Sequence, residues 1–262
     1  MSEKRLLGLT TVLLLALAVA CNGSSDETGG TTPEPAPNPA PPPPVESSGA
    51  TGTSSISGSV RFEGAVPVLR PVRMEADPGC AKKHSGDVMP EILVLGENNA
   101  LANVMVYVTG GLAAGSYAPP SEAAVLDQKG CRYSPHVISV QAGQPFKILN
   151  SDGLLHNVHG LPKINTPFNK AMPAAVTEAS YVFDKEEVFK IKCDVHPWME
   201  AYVGVVGHPY FDVTAEDGKY EITGLPAGTY EIEVWQEKLK TQTASVTVAD
   251  GESAAQDFTY SR

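Results

Sequence analysis

The chain has 262 residues and a formal net charge of −11. That acidic balance argues against nucleic-acid binding, which depends on basic charge, and suits either a basic protein partner or a solvated surface without one. The length left after a leader and a linker is enough for one large or two small β domains.

The amino terminus, MSEKRLLGLTTVLLLALAVAC, sets Lys4 and Arg5 ahead of an apolar run from Leu6 to Ala20. The run suits the core of a signal peptide and is short for a membrane span. Ala18, Val19 and Ala20 lead into Cys21, and the stretch resembles a lipoprotein signal, although such signals more often carry Leu where Ala18 stands. The resemblance implies removal of residues 1–20 and acylation of Cys21, with ordinary cleavage and a free thiol as the alternative. Asn22 follows where an aspartate would favour retention in the inner membrane, so the outer membrane of the cell envelope is favoured. Residues 21–55 are mostly Gly, Ser, Thr and Pro, with four consecutive prolines at Pro41–Pro44. Almost nothing there can enter a core, so a disordered tether is expected, spanning about 30 Å as a flexible coil.

The remaining residues 56–262 read as all-β. NVMVYV (Asn103–Val108), HVISV (His136–Val140), SYVFD, VFKIK, AYVGVV, YEITGL, TYEIEVW and ASVTV are short β-branched or aromatic runs punctuated by Gly, Pro, Asn or Asp. That pattern suits sandwiches or barrels. Ala142-Gly143-Gln144 predicts a turn between two strands, and Asp217-Gly218 predicts a hairpin. The stretch AEDGKYEITGLPAGTYEIEVW resembles the carboxypeptidase regulatory-like domain, a small transthyretin-like sandwich. The opening strands of that family find their counterparts far upstream, at ISGSVRFEGAVP (Ile56–Pro67) and NVMVYV. Two arrangements follow. Residues 56–110 and 208–262 form one discontinuous sandwich with residues 111–207 inserted, or the three segments form separate consecutive units.

Within KCDVHPWMEAYVGV, Cys193, His196 and Met199 stand three residues apart at the end of the strand VFKIK. Thiolate, imidazole and a weak axial thioether are the ligand types of a blue-copper site, which needs one more imidazole. ILNSDGLLHNVHG offers His156; His159, three residues on in an extended segment, points to the opposite face. LLHNVHG and KCDVHPWM together are similar to the two ligand segments of the cupredoxin family, amicyanin and pseudoazurin-like proteins in particular. The resemblance implies a Greek-key sandwich over residues 111–207 and one type 1 copper, with His156, Cys193 and His196 as equatorial ligands and Met199 axial. It also implies that Asn157 braces the Cys193 loop by hydrogen bonds. Trp198 stands where such loops usually carry Phe.

If Cys21 is acylated and Cys193 holds metal, Cys80 and Cys131 remain as a disulfide pair; a Cys193 disulfide is the competing reading. His84, His136 and His208 are expected to be surface or loop residues, and His159 a surface or structural side chain. Pro197 and Trp198 are either packing residues or an exposed apolar rim around His196 where a partner docks. The resemblance implies a one-electron carrier, anchored by lipid outside the cytoplasm. Electrons would leave through His196 toward a redox protein such as a c-type cytochrome. A copper-sequestering or delivery lipoprotein is the alternative. No small-molecule substrate is expected, and no catalytic residue: paired His-x-His sets, a phosphate loop and hydrolase motifs are missing from the sequence.

Overall fold

A computed structural model describes residues 52–261. The expected signal, the acylated Cys21 and the tether lie outside the described residues. In chain order the strands are β1 (Ser54–Glu63), β2 (Met105–Gly110), β3 (Ala124–Gln128), β4 (Tyr133–Ser134), β5 (Val137–Gln141), β6 (Pro145–Asn150), β7 (His156–Gly160), β8 (Phe168–Met172) and β9 (Glu178–Val182). They continue with β10 (Glu187–Lys192), β11 (Glu200–Val206), β12 (Phe211–Val213), β13 (Lys219–Leu225), β14 (Gly228–Trp235), β15 (Gln242–Val248), β16 (Ser253–Ala255) and β17 (Phe258–Ser261). One short α-helix, α1 (Pro78–Ala81), and a single 3-10 turn (Glu97–Asn99) interrupt the segment between β1 and β2. Alternation of apolar and polar residues builds these strands: in β14, Tyr230, Ile232 and Val234 turn inward while Glu231 faces out.

The strands form two sandwiches. In the first, β1 pairs with β13, β16 and β17 and faces the sheet β12-β2-β14-β15. β1 is antiparallel to β13 and parallel to β16 and β17, so the first described strand sits among sheet partners that follow it by 160 to 198 residues. Ile56, Phe62, Val106, Ile222 and Ile232 share its core. In the second, the sheet β5-β11-β10-β7-β8 faces β4-β3-β6-β9, and Leu126, Phe146, Ile148, Val158, Ile191 and Val203 fill the space between.

Two features depart from the sequence reading. Gly218 does make a turn, with Gly218 N–H on Ala215 O at 2.9 Å, but the strands it joins lie in different sheets, so no hairpin forms. Turn chemistry fixes a reversal, not the sheet to which each arm pairs. The segment between β1 and β2 is also divided. Leu93 and Leu95 pack on the first core, whereas Val72, Met74, Cys80 and Val88 pack on the second. Residues 72–88 thus leave the first sandwich to cover one end of the other.

The two sandwiches meet through close packing. Gly204 of β11 lets Met105 of β2 approach: a Cβ there would lie 2.0 Å from the thioether sulfur. His136, expected at the surface or in a loop, lies in the bend between β4 and β5 but is buried in this junction, with Nδ1 3.1 Å from Glu200 O and Nε2 2.6 Å from the Glu237 carboxylate.

Candidate metal centre

β7 starts at His156 and β10 ends just before Cys193, and the two strands are antiparallel neighbours, with Lys192 opposite His159. The start of one strand and the end of the other therefore lie at the same edge of the sheet. After Cys193 the chain turns within six residues: Met199 N–H bonds His196 O at 2.9 Å, and Cys193 N–H bonds Met199 O at 3.1 Å, which brings the chain into β11. This tight loop folds His196 back over Cys193.

Three donor atoms converge. Nδ1 of His156 and Nδ1 of His196 are 3.0 Å apart, Cys193 Sγ is 3.9 Å from His196 Nδ1, and the three side chains are at most 2% exposed. The Cys193 sulfur accepts the backbone N–H groups of Asn157 at 3.4 Å and His196 at 3.3 Å. Burial would push its thiol up, but hydrogen bonds, first from His156 and then from these amides, hold it below the usual range. Met199 is buried beneath the loop. Asn157 joins the ligand segments: its Oδ1 accepts Asp194 N–H at 3.1 Å and its amide bonds Asn169. Tyr133, on the facing sheet, donates its hydroxyl to Asn157 O at 2.6 Å and Lys192 O at 3.2 Å.

Each imidazole is held from behind by a carboxylate. His156 Nε2 is 2.8 Å from Asp152 Oδ2 and His196 Nε2 is 3.0 Å from Asp77 Oδ2. A ring that donates Nε2–H presents the lone pair of Nδ1 forward. Two lone pairs and the Cys193 sulfur therefore face one small volume, an arrangement that suits a cation. Burial alone would lower His156, but Asp152 and then Cys193 raise it to about 9. Asp152 shows the reciprocal effect: burial would raise it, yet His156, Cys131 N–H, Lys83 and Gly130 N–H bring it down to about 2.

The donor set fits a thiolate-bound first-row metal. Bonds of about 2.0 Å to nitrogen and 2.3 Å to sulfur, opened to about 120°, put the nitrogens about 3.5 Å apart and nitrogen and sulfur about 3.7 Å apart. The observed nitrogen pair at 3.0 Å lies inside the first spacing and the sulfur–nitrogen pair at 3.9 Å just outside the second, so small movements would seat an ion.

Cys80 and Cys131 form a disulfide, and Cys193 is the free cysteine among the described residues. His159 lies away from the centre, 2.9 Å from Asp194, and His84 bonds Gly130 O. Pro197 is exposed while Trp198 follows the packing reading, and among the described residues no open rim surrounds His196. His196 is 2% exposed, Trp198 packs on the core and donates Nε1–H to Cys131 O at 3.1 Å, and Asp77 covers the outer imidazole edge. The reason lies upstream, in residues 72–88. Asp77 and Asp152 were missed by the sequence reading. Asp152 stands four residues before His156, and Asp77 opens Asp-Pro-Gly-Cys as the cap of α1, a recognisable helix start.

A family model for the carboxypeptidase regulatory-like domain matches residues 197–261, which hold β11 through β17; β1 and β2, which pair with several of these strands, lie upstream. No curated protein sequence matches the chain. Among solved structures the chain is similar to a copper-containing nitrite reductase from Thermus scotoductus SA-01, at 18% identity over 37% of this chain and 25% of that one, with a TM-score of 0.31. It is also similar to a purple cupredoxin from Nitrosopumilus maritimus, at 23% identity over 32% of this chain and 99% of that one, with a TM-score of 0.28. A Cu(I) form of an amicyanin variant matches at 21% identity over 38% and 98%, with a TM-score of 0.30. The chain spans 25% of the length of the reductase. The likeness to these structures is coarse.

Proposed function

We propose that the chain is a mononuclear copper protein that carries single electrons outside the cytoplasm. The observation that supports this reading is the convergence of two Nδ1 atoms and the buried Cys193 sulfur, each imidazole braced by a carboxylate. His156, Cys193 and His196 would hold the ion, with Met199 as the weak fourth ligand. Bound copper would supply a one-electron couple that a rigid, mixed nitrogen and sulfur set lets change state with little rearrangement. Asn157 and Tyr133 keep the ligand strands in place across that change. Burial of every candidate ligand favours a carrier over an enzyme, since a substrate has no open route to the ion.

We read residues 56–110 and 208–262 as one regulatory-like sandwich carrying the copper module as an insertion. The pairing of β1 with β13 and of β2 with β12 and β14 supports this. Cys21 would fix the mature protein to the envelope by lipid, with the outer membrane favoured.

A second reading is copper storage or delivery. Closure of the His196 edge by Asp77 and the Cys80–Cys131 segment favours it, because that edge is where a redox partner would otherwise make contact. Stopped-flow mixing of the cupric protein with a reduced c-type cytochrome separates the two. A carrier oxidises the cytochrome in a bimolecular phase faster at low ionic strength; a store leaves the cytochrome reduced and gives up copper to an acceptor instead.

A further inference from the structure

The two aspartates behind the imidazoles do not stand alone. Asp152 accepts the N–H of Gly130 and of Cys131, each at 2.7 Å, as well as His156 Nε2 at 2.8 Å. Asp77 accepts the N–H of Gly79 at 2.8 Å and of Cys80 at 3.2 Å, as well as His196 Nε2 at 3.0 Å. Cys80 and Cys131 are bonded to each other. The connections close into a ring: His156, Asp152, Cys131, Cys80, Asp77, His196 and back to His156 through the facing Nδ1 atoms. A disulfide thus joins the backbone supports of both carboxylates that orient the candidate ligands.

We propose that Asp77 and Asp152, joined through the Cys80–Cys131 disulfide, form one clamp, and that the redox state of this disulfide sets how firmly the protein keeps copper and at what potential. The inference rests on the copper reading above. Asp77 and Asp152 are positioning residues. An anionic carboxylate on the far nitrogen makes an imidazole a stronger donor and favours the more highly charged state of the metal. The two arms are unequal in support. Asp152 is also held by Lys83 Nζ at 3.1 Å, and its side chain is 1% exposed. Asp77 is 36% exposed and caps a helix of four residues, too short to hold its shape unaided. The disulfide is the covalent tie between α1 and the second sandwich, so the Asp77 arm depends on it most.

Cleavage takes two electrons and two protons. A dithiol donor supplies both and becomes a disulfide itself, while the S–S bond is replaced by two S–H groups. Cys80 Sγ lies 3.5 Å from His196 Nε2, so the new thiol stands against the imidazole in competition with Asp77. With α1 released, Asp77 withdraws, the His196 edge meets water, and the ion is held less tightly. The same opening uncovers a contact edge for a redox partner. One segment would close the port and retain the metal, or open it and release both constraints.

The test uses the full chain loaded with Cu(I). Copper transfer to a Cu(I) chelator is timed in three samples: untreated protein, protein treated with a dithiol until two further thiols titrate, and the Cys80→Ala/Cys131→Ala variant. The midpoint potential is measured on Asp77→Asn. We expect transfer to be about 10–100-fold faster once the disulfide is gone, the range usual for loss of a ligand's outer partner, and a higher midpoint potential for Asp77→Asn with the thiolate-to-copper band still present. Equal transfer rates in the oxidised and dithiol-treated protein would overturn the proposal, as would an unshifted potential in Asp77→Asn. The dithiol-treated wild type keeps the test alive if the double variant fails to fold. Wild-type protein that binds copper without a thiolate band would instead overturn the copper reading, and the clamp with it.

Discussion

Replacing Tyr133 by Phe removes one oxygen from a side chain that is 1% exposed and leaves the ring in place. That hydroxyl serves two carbonyls, Asn157 O at 2.6 Å and Lys192 O at 3.2 Å. These residues directly follow His156 and precede Cys193, so a single group on β4 pins both ligand strands. Burial, and then the charges of Cys193 and Asp194, push the phenol's pKa upward, so it remains a neutral donor throughout the working pH range. A buried acceptor that loses its donor costs about 1–3 kcal/mol. We therefore expect Tyr133→Phe to destabilise the copper-free, disulfide-intact protein by about 1–3 kcal/mol. Urea denaturation reads this as a midpoint lower by about 1 M at typical slopes for small proteins. Copper should also leave the variant faster, because the two ligand strands are no longer tied to the facing sheet. A stability change below about 0.5 kcal/mol, within the usual range for unimportant surface positions, would refute the reasoning.

Gly58→Ala probes the first sandwich: the added Cβ would lie 1.8 Å from the carbonyl oxygen of Gln256, and backbone cannot yield as a side-chain tip can. Overpacking of this kind costs about 1–3 kcal/mol or more, and limited proteolysis should cut residues 211–261 faster in the variant while the copper band persists; a stable fragment near 212–262 that ignores the substitution would sink the discontinuous sandwich. His208 gives the pH dependence. Burial lowers its pKa despite the bond to Val108 O, and its two contacts require the neutral ring, with Nε2 donating to Val108 O at 2.8 Å and Nδ1 accepting Tyr210 N–H at 3.2 Å. Below the ordinary histidine value of about 6.5 the unfolded chain takes up a proton that the folded chain resists, so stability falls with acidification. His208→Gln should show a shallower loss between neutral and mildly acidic pH, and equal slopes would contradict this assignment.

Strands such as TYEIEVW and ASVTV were legible because alternation is local and one face of each is buried. The partners of β1 were suggested only by a motif lying upstream of its expected place, since pairing across 160 to 198 residues leaves no local trace. Asp217-Gly218 misled for the same reason. At the metal centre, the spacing of Cys193, His196 and Met199 is a property of one loop and could be read directly. The enclosure of His196 could not, because it comes from Asp77, 119 residues upstream, in a segment without periodicity whose few apolar residues, Met74 and Val88, give no hint of which core they join. The burial of His136 within its loop was hidden likewise, because it depends on Glu237, which lies beyond β14 in the other sandwich.

The most direct measurement is a titration of the metal-free protein with Cu(II), followed by visible absorption and EPR. An intense thiolate-to-copper charge-transfer band that saturates at one equivalent, and that is lost in Cys193→Ser, is the result expected of two imidazoles and a thiolate closing on one ion. A spectrum of ordinary tetragonal copper, unchanged by Cys193→Ser, would contradict the account.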